Sequence, residues 1–289
     1  MIYDYLIAPF DQYFFMRRAL VACIAIAFGC APIGVILVVR RMSLVGDAMS
    51  HAILPGAALG FFIAGTSVLA MTIGGITAAL IVAFLSTVVT RSTEIKEDAS
   101  FASFYLISLA IGVVLVSTKG SNVDLMHILF GTILSVDNES LILIASISSL
   151  TILLMAVIYR PLIIECLDPG FLKAKNSSGG IYHHIFIILV VLNLVSGFRA
   201  LGTLMAVGMI MLPVTTAKFW SNSIGYMTAI AIAVGAFSGY VGLLVSYYLD
   251  IPSGPSIIIS AGLFYLLSIF FGKNNGIVRK IIKTKHLEA

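Results

Sequence analysis

Long apolar stretches separated by short polar connections run along the whole chain. A bilayer core is about 30 Å thick, so a helix needs about 20 mostly apolar residues to cross it. Lipid offers no partner to a free backbone N–H or C=O group, whereas a helix satisfies these groups internally. The pattern therefore predicts an all-α, polytopic transmembrane helix bundle with about nine crossings, at 19–39, 48–64, 67–90, 99–118, 140–159, 179–198, 200–217, 224–249 and 253–272.

A tenth apolar run, 125–136, is too short to cross and is predicted to be a short re-entrant segment. With that topology, 13 of the 17 basic residues lie on the side of the C-terminus and four lie on the other side. Lys and Arg are enriched in cytoplasmic loops of membrane proteins. We therefore expect a cytoplasmic C-terminus. A full crossing by this run would instead require opposite orientations of the two halves of the chain.

Composition agrees with a protein that works in a bilayer. The chain is 60% hydrophobic and 10% charged, whereas soluble domains carry roughly 25% charged residues. No polar linker divides it, so 1–289 is predicted to be a single membrane domain with an N-terminal surface segment at 1–18, a long inner connection at 160–182 and a basic tail at 273–289. The net charge of +4 comes from connections and tail, so it reports topology and does not indicate a nucleic-acid partner.

The start of the second predicted helix carries the first candidate chemistry. Asp47 and His51 are four residues apart, which places both on one face of a helix, and Ser43 is expected to cap that helix. A carboxylate and an imidazole can ligate one divalent cation such as zinc, manganese or iron. A structural alternative stays open at this point: Asp47 would satisfy free N–H groups near the helix start, and His51 would bond a neighbouring helix.

Asp124 and His127, three residues apart at the mouth of the 125–136 run, form a second possible metal-binding pair. The alternative is that both are solvated residues at the outer surface.

Two further groups of polar residues have structural interpretations. Glu97 and Asp98 open the fourth predicted helix, where capping of its N-terminus explains them. His183 and His184 begin the sixth; adjacent residues on a helix face about 100° apart, so the two are predicted to be interfacial and not to form one site.

The inner connection contains the run Asp168, Pro169, Gly170, Phe171, Leu172 and Lys173. Asp as N-cap followed by Pro at the first helical position predicts one short helix there. A short amphipathic helix on the cytoplasmic face would suit a partner protein, and the alternative is a helix lying on anionic lipid.

The sequence contains no G-x-x-x-x-G-K-[ST] phosphate loop, no H-E-x-x-H and no G-x-S-x-G. These motifs mark nucleotide hydrolysis, zinc peptidases and serine hydrolases. The chain is therefore predicted not to be an enzyme, and if ATP drives transport, another chain hydrolyses the ATP.

Four stretches carry a family resemblance that covers nearly the whole chain: MSLVGDAMSHAILPGAALG from Met42, DLMHILFGT from Asp124, RALGTLMAVGMIMLPVTTAK from Arg199 and LDIPSGPSIIISAG from Leu249. In order and spacing they resemble the zinc/manganese/iron ABC transporter permease family, the integral membrane subunit of metal importers. The resemblance implies the vitamin B12-type (type II) importer permease fold.

The resemblance also implies partners, cargo and location. The partners would be a second permease copy or a sister permease, two cytoplasmic ATP-binding subunits that carry the ATP, and an extracytoplasmic metal-binding protein. No cofactor would be permanently bound; Mn²⁺, Zn²⁺ or Fe²⁺ would be transported across the bacterial cytoplasmic (inner) membrane.

Two groups of residues gain a role from the resemblance. Asp47 and His51 match the polar pair of the family's translocation path, and Asp168 to Lys173 would form the helix that couples to the ATPase. There this chain has Asp-Pro-Gly-Phe-Leu where the family pattern has Asp-Pro-Glu-Phe-Ala.

Rival functions remain. A secondary transporter driven by an ion gradient would also use interrupted helices and an intramembrane carboxylate, and it would transport without an ATPase. A membrane enzyme is a second rival, disfavoured by the missing catalytic motifs.

Overall fold

A computed structural model describes residues 2–65, 67–118, 136–167, 179–274 and 276–277, and these are helical apart from short turns. Lipid offers no hydrogen-bond partner to backbone N–H and C=O groups. The apolar stretches therefore fold as helices, which satisfy these groups internally. The elements are α1 (Ile2–Leu6), α2 (Ala8–Gln12), α3 (Phe14–Val39), α4 (Ser43–Ala64), α5 (Val68–Ser92), α6 (Glu97–Thr118), α7 (Asn138–Leu167), α8 (Gly179–Leu201), α9 (Thr203–Lys218), α10 (Ile224–Leu249) and α11 (Ser253–Phe271).

The nine predicted segments correspond to α3 through α11. Within the described ranges, eight helices are long and apolar enough to cross a membrane, and α9 is shorter. Its 16 residues extend about 24 Å, less than a bilayer core. Gly202 separates α8 from α9, and its φ of +80° is one that glycine adopts without strain. Apart from Val136, the predicted re-entrant run lies outside the described residues.

Helix α3 is the most buried of the eight long helices and packs against α7, α8, α9 and α10. A polar group lies inside this packing: the Asn193 amide of α8 donates to Thr151 Oγ1 at 2.6 Å and to the Leu189 carbonyl at 2.9 Å. Gly29 of α3 lies against it, and a Cβ there would collide with Asn193 Oδ1. The missing side chain leaves room for a satisfied amide in an apolar interior.

Helix α4 packs mainly between α5 and α6. Gly56 lies against the backbone of Gly74, and Gly60 lies against that of Ala70. Small residues let membrane helices approach closely, which increases the packing between them. The α4–α5 contact therefore depends on these glycines.

The N-terminal helices lie along α10. Phe10 stacks on Tyr240 with ring centroids 5.1 Å apart, and the Tyr240 hydroxyl donates to the Leu6 carbonyl at 2.9 Å. The Tyr248 hydroxyl donates to the Tyr5 carbonyl at 2.8 Å. Tyrosine side chains with an apolar ring and a polar tip are typical of a membrane–water interface.

Replacing Gly56 with alanine is expected to destabilise the fold by about 1–3 kcal/mol, because its Cβ would overlap the Gly74 backbone and force α4 and α5 apart. Gly262→Ala is the matched control, since a Cβ at that α11 position meets no atom within 4 Å. Thermal unfolding of the detergent-solubilised protein measures both. Equal losses for the two variants would contradict the packing argument.

Candidate metal site

Helix α4 presents Asp47 and His51 on one face. His51 Nε2 lies 3.6 Å from Asp47 Oδ1, and the two side chains are 32% and 53% exposed, respectively. The geometry follows from the i, i+4 spacing. At 1.5 Å per residue, the two residues lie about 6 Å and 12 Å from the start of α4 at Ser43. The sequence prediction that the pair shares a face is confirmed.

The start of α4 differs from the expected cap. Met42, not Ser43, is the N-cap, and it makes no side-chain cap hydrogen bond. Ser43 cannot cap because it is already the first helical residue. The first turn of α4 contains no acidic residue, so Asp47 lies beyond the free N–H groups that the structural alternative assigned to it.

Helix α6 covers one side of the imidazole. The Tyr105 ring stacks on His51 with centroids 5.7 Å apart and an angle of 26° between the planes. His51 Nδ1 is buried and has no hydrogen-bond partner within the described ranges. The ring is therefore held by stacking, with Nε2 towards Asp47.

One carboxylate and one imidazole offer fewer ligands than the four to six that divalent transition metals take. Among the residues that the structure describes, no three His, Cys, Asp or Glu side chains come together to hold a metal ion. The pair alone is therefore not a complete metal site, and both side chains are partly exposed.

Two sets of predicted site residues lie outside the described ranges. They are the second metal pair, Asp124 and His127, and the predicted coupling residues Asp168, Pro169, Gly170, Phe171, Leu172 and Lys173. Both sets stay predictions.

A cluster that the sequence reasoning missed lies at the Arg40 end of the bundle. Arg40 contacts Glu165 Oε2 at 3.0 Å and His183 Nδ1 at 2.8 Å, and His183 Nε2 contacts Glu97 Oε1 at 3.2 Å. The interfacial prediction for His183 did not include its burial: its side chain is only 6% exposed, and Arg40 and Glu97 contact its two ring nitrogens. The predicted topology places all four residues on one side of the membrane, but it does not predict which of them touch.

Comparisons with known proteins agree with this architecture. The family model described as the ABC 3 transport family matches residues 12–272. The manganese import system permease protein ScaB of Streptococcus parasanguinis is 32% identical over 96% of this chain and 95% of its own length. A probable iron transport system membrane protein of Haemophilus influenzae is 30% identical over 94% of this chain and 98% of its own.

A solved structure is similar over almost the same length. It is described as PsaBC from Streptococcus pneumoniae in complex with Fab; it superposes with a TM-score of 0.82 at 30% identity and covers 96% of this chain and 99% of that one. The resemblance read from the sequence is confirmed, and the chain belongs to the ABC 3 transport family.

Proposed function

We propose that this chain is the permease subunit of an ATP-driven importer that carries a divalent transition metal, manganese, zinc or iron, by alternating access. The observation that carries the proposal is the Asp47–His51 pair, two metal-ligating side chains 3.6 Å apart on a helix long enough to cross the membrane.

The exposure of the pair supports a pathway. Asp47 is 53% exposed, and a carboxylate facing hydrocarbon costs several kcal/mol. Such a side chain faces either a water-filled cavity or another protein. A second permease copy at this face would bring its own carboxylate and imidazole and double the number of protein ligands.

Weak binding suits transport. A resident metal needs a closed set of ligands, whereas a transported ion must leave as readily as it enters. Each permease contributes two ligands, and one side of the bound ion stays open to water. The ion can therefore be bound and then released as the two copies move.

The ligand types restrict the cargo only to a class. Carboxylate and imidazole accept manganese, iron and zinc, and the relatives' names include manganese and iron. We assign this chain a metal of that class.

The proposed assembly contains two permeases, two cytoplasmic ATPase subunits seated on the connection after α7, and an extracytoplasmic metal-binding protein. It lies in the bacterial cytoplasmic membrane with the C-terminus of the permease inside. The sequence contains no phosphate-binding loop, which supports an ATPase on a separate chain.

Asp47→Asn and His51→Gln should each lower metal uptake by about tenfold or more, since a lost ligand weakens capture of the ion. Uptake of radioactive manganese, iron and zinc by cells expressing the permease with its ATPase measures the effect. Asp250→Asn is the matched control: Asp250 has φ +54° at the end of α10, where asparagine is equally tolerated. Normal uptake by a double Asp47 and His51 variant would contradict the proposed role.

The gradient-driven rival is separated by reconstitution. Vesicles containing the permease with its ATPase, supplied outside with the metal-binding protein, are expected to accumulate metal only when the ATPase faces the lumen and ATP is present there. Vesicles containing the permease alone should not accumulate metal under a proton or sodium gradient. Accumulation by the permease alone would establish the rival.

Tyr105 provides a finer test of the site. Tyr105→Phe keeps the ring against His51 and should leave the KM for metal uptake unchanged. Tyr105→Leu removes a stacking contact of about 0.5–1.5 kcal/mol and should raise KM a few-fold, because the imidazole loses its orientation. Equal KM values for both variants would show that stacking does not position His51.

A further inference from the structure

The cluster at the Arg40 end connects four separate helices through one chain of contacts. Arg40 directly follows α3, Glu97 opens α6, Glu165 lies in the last turn of α7 and His183 lies in the second turn of α8. Three contacts of 2.8–3.2 Å join them in the order Glu165, Arg40, His183, Glu97. We name this set the Arg40 cluster.

The direction of each hydrogen bond is fixed by chemistry. A guanidinium is always charged and only donates, so His183 Nδ1 accepts from Arg40. The ring proton then lies on Nε2 and is donated to Glu97. Every link thus joins a donor to an acceptor, and Arg40 also lies over the Phe186 ring at 5.6 Å.

Two residues of the Arg40 cluster, Arg40 and Glu97, lead to the Asp47–His51 pair. Arg40 precedes the turn into α4, where Arg41 has φ +59°, and α4 carries Asp47 and His51 without a side-chain cap of its own. Glu97 begins α6, the helix whose Tyr105 stacks on His51. The cluster therefore holds the ends of both helices that build the site.

The other two residues, Glu165 and His183, lead to the inner connection. Glu165 lies three residues before Asp168, and His183 lies five residues after Ser178. The Arg40 cluster is thereby attached to both helix ends between which the proposed ATPase-binding connection runs.

Stability alone does not account for these charges. A buried ion pair can often be replaced by apolar residues of similar volume without loss of stability. Arg40 is 8% exposed and Glu165 is 17% exposed, so both lose most of their hydration. A chain of directed contacts between rigid helices has discrete arrangements, which suits the transmission of movement.

We propose that Arg40, Glu165, His183 and Glu97 are positioning residues that transmit movement of the α7 and α8 ends to α4 and α6, and so orient Asp47 and His51 during each ATP cycle. This inference rests on the proposed function. It predicts that breaking the cluster uncouples ATP hydrolysis from metal transport.

The test measures metal transported per ATP hydrolysed, using the complete permease–ATPase complex in vesicles. The double variant Arg40→Met, Glu165→Met removes the ion pair with similar side-chain volumes, and it should assemble, hydrolyse ATP and show a ratio at least about tenfold lower. His183→Leu breaks the link to Glu97 separately and should lower the ratio as well, so the test does not depend on one variant folding.

Two controls accompany these variants. His183→Gln keeps one acceptor and one donor and should restore the ratio. Arg41→Asn removes the neighbouring exposed charge at a φ that asparagine tolerates, and it should leave the ratio unchanged.

A wild-type ratio in the double variant or in His183→Leu would overturn the inference while the proposed function stood. The inference would also be overturned if transport and ATP hydrolysis both fell only in proportion to the amount of assembled complex. An equal loss of the transport-to-hydrolysis ratio in Arg41→Asn would overturn it as well. Absence of ATP-dependent transport by the wild-type complex would instead overturn the proposed function, and the inference with it.

Discussion

Hydrocarbon offers no hydrogen-bond partners, and this constraint determines where polar side chains can lie in the bundle. Several hydroxyl groups donate to a carbonyl of their own helix, as Thr87 does to the Ala83 carbonyl at 2.8 Å, and Ser100 donates to the Ser86 carbonyl of the neighbouring helix at 3.0 Å. The side-chain amide of Asn193 is buried, and it donates a hydrogen bond to Thr151 Oγ1 there. Arg40 and its partners satisfy one another at helix ends. Asp47 and His51 depart from this rule, since both are partly exposed along a spanning helix, and that departure is the reason to assign them a function.

Helix α4 shows what accommodates such a pair. It is the least hydrophobic of the eight long helices, so transfer into lipid stabilises it less than the others. Close packing offsets this: Gly56 and Gly60 bring α5 against one side, and α6 contacts it through Pro55 and Gly112. A helix surrounded by protein needs less affinity for lipid, and it can carry ionisable residues on its open face.

Local features of the sequence predicted the fold and the pair on α4. Apolar length locates a spanning helix without knowledge of its neighbours, and i, i+4 spacing places Asp47 beside His51 without tertiary information. The division at Gly202 was misplaced by a few residues because an apolar run does not reveal where a positive φ interrupts it. The contact between Arg40 and Glu165 spans 125 positions, and neither periodicity nor propensity contains the register between two helices. The burial of His183 between Arg40 and Glu97 depends on the same kind of register.

Local and non-local features meet on α4. The glycine contact with α5 fixes one part of the helix, and the turn after Arg40 fixes its beginning, which has no side-chain cap. Asp47 and His51 lie between these two points. A helix is stiff over two turns, so a displacement of its beginning relative to the Gly56 contact tilts the segment that carries both ligands. Such a tilt changes their positions relative to Tyr105 on α6 and to any second permease at the exposed face. Under the proposed function, a pair of ligands on a helix held at both sides would bind and release an ion through small movements of the helix ends, without repacking of the glycine contacts.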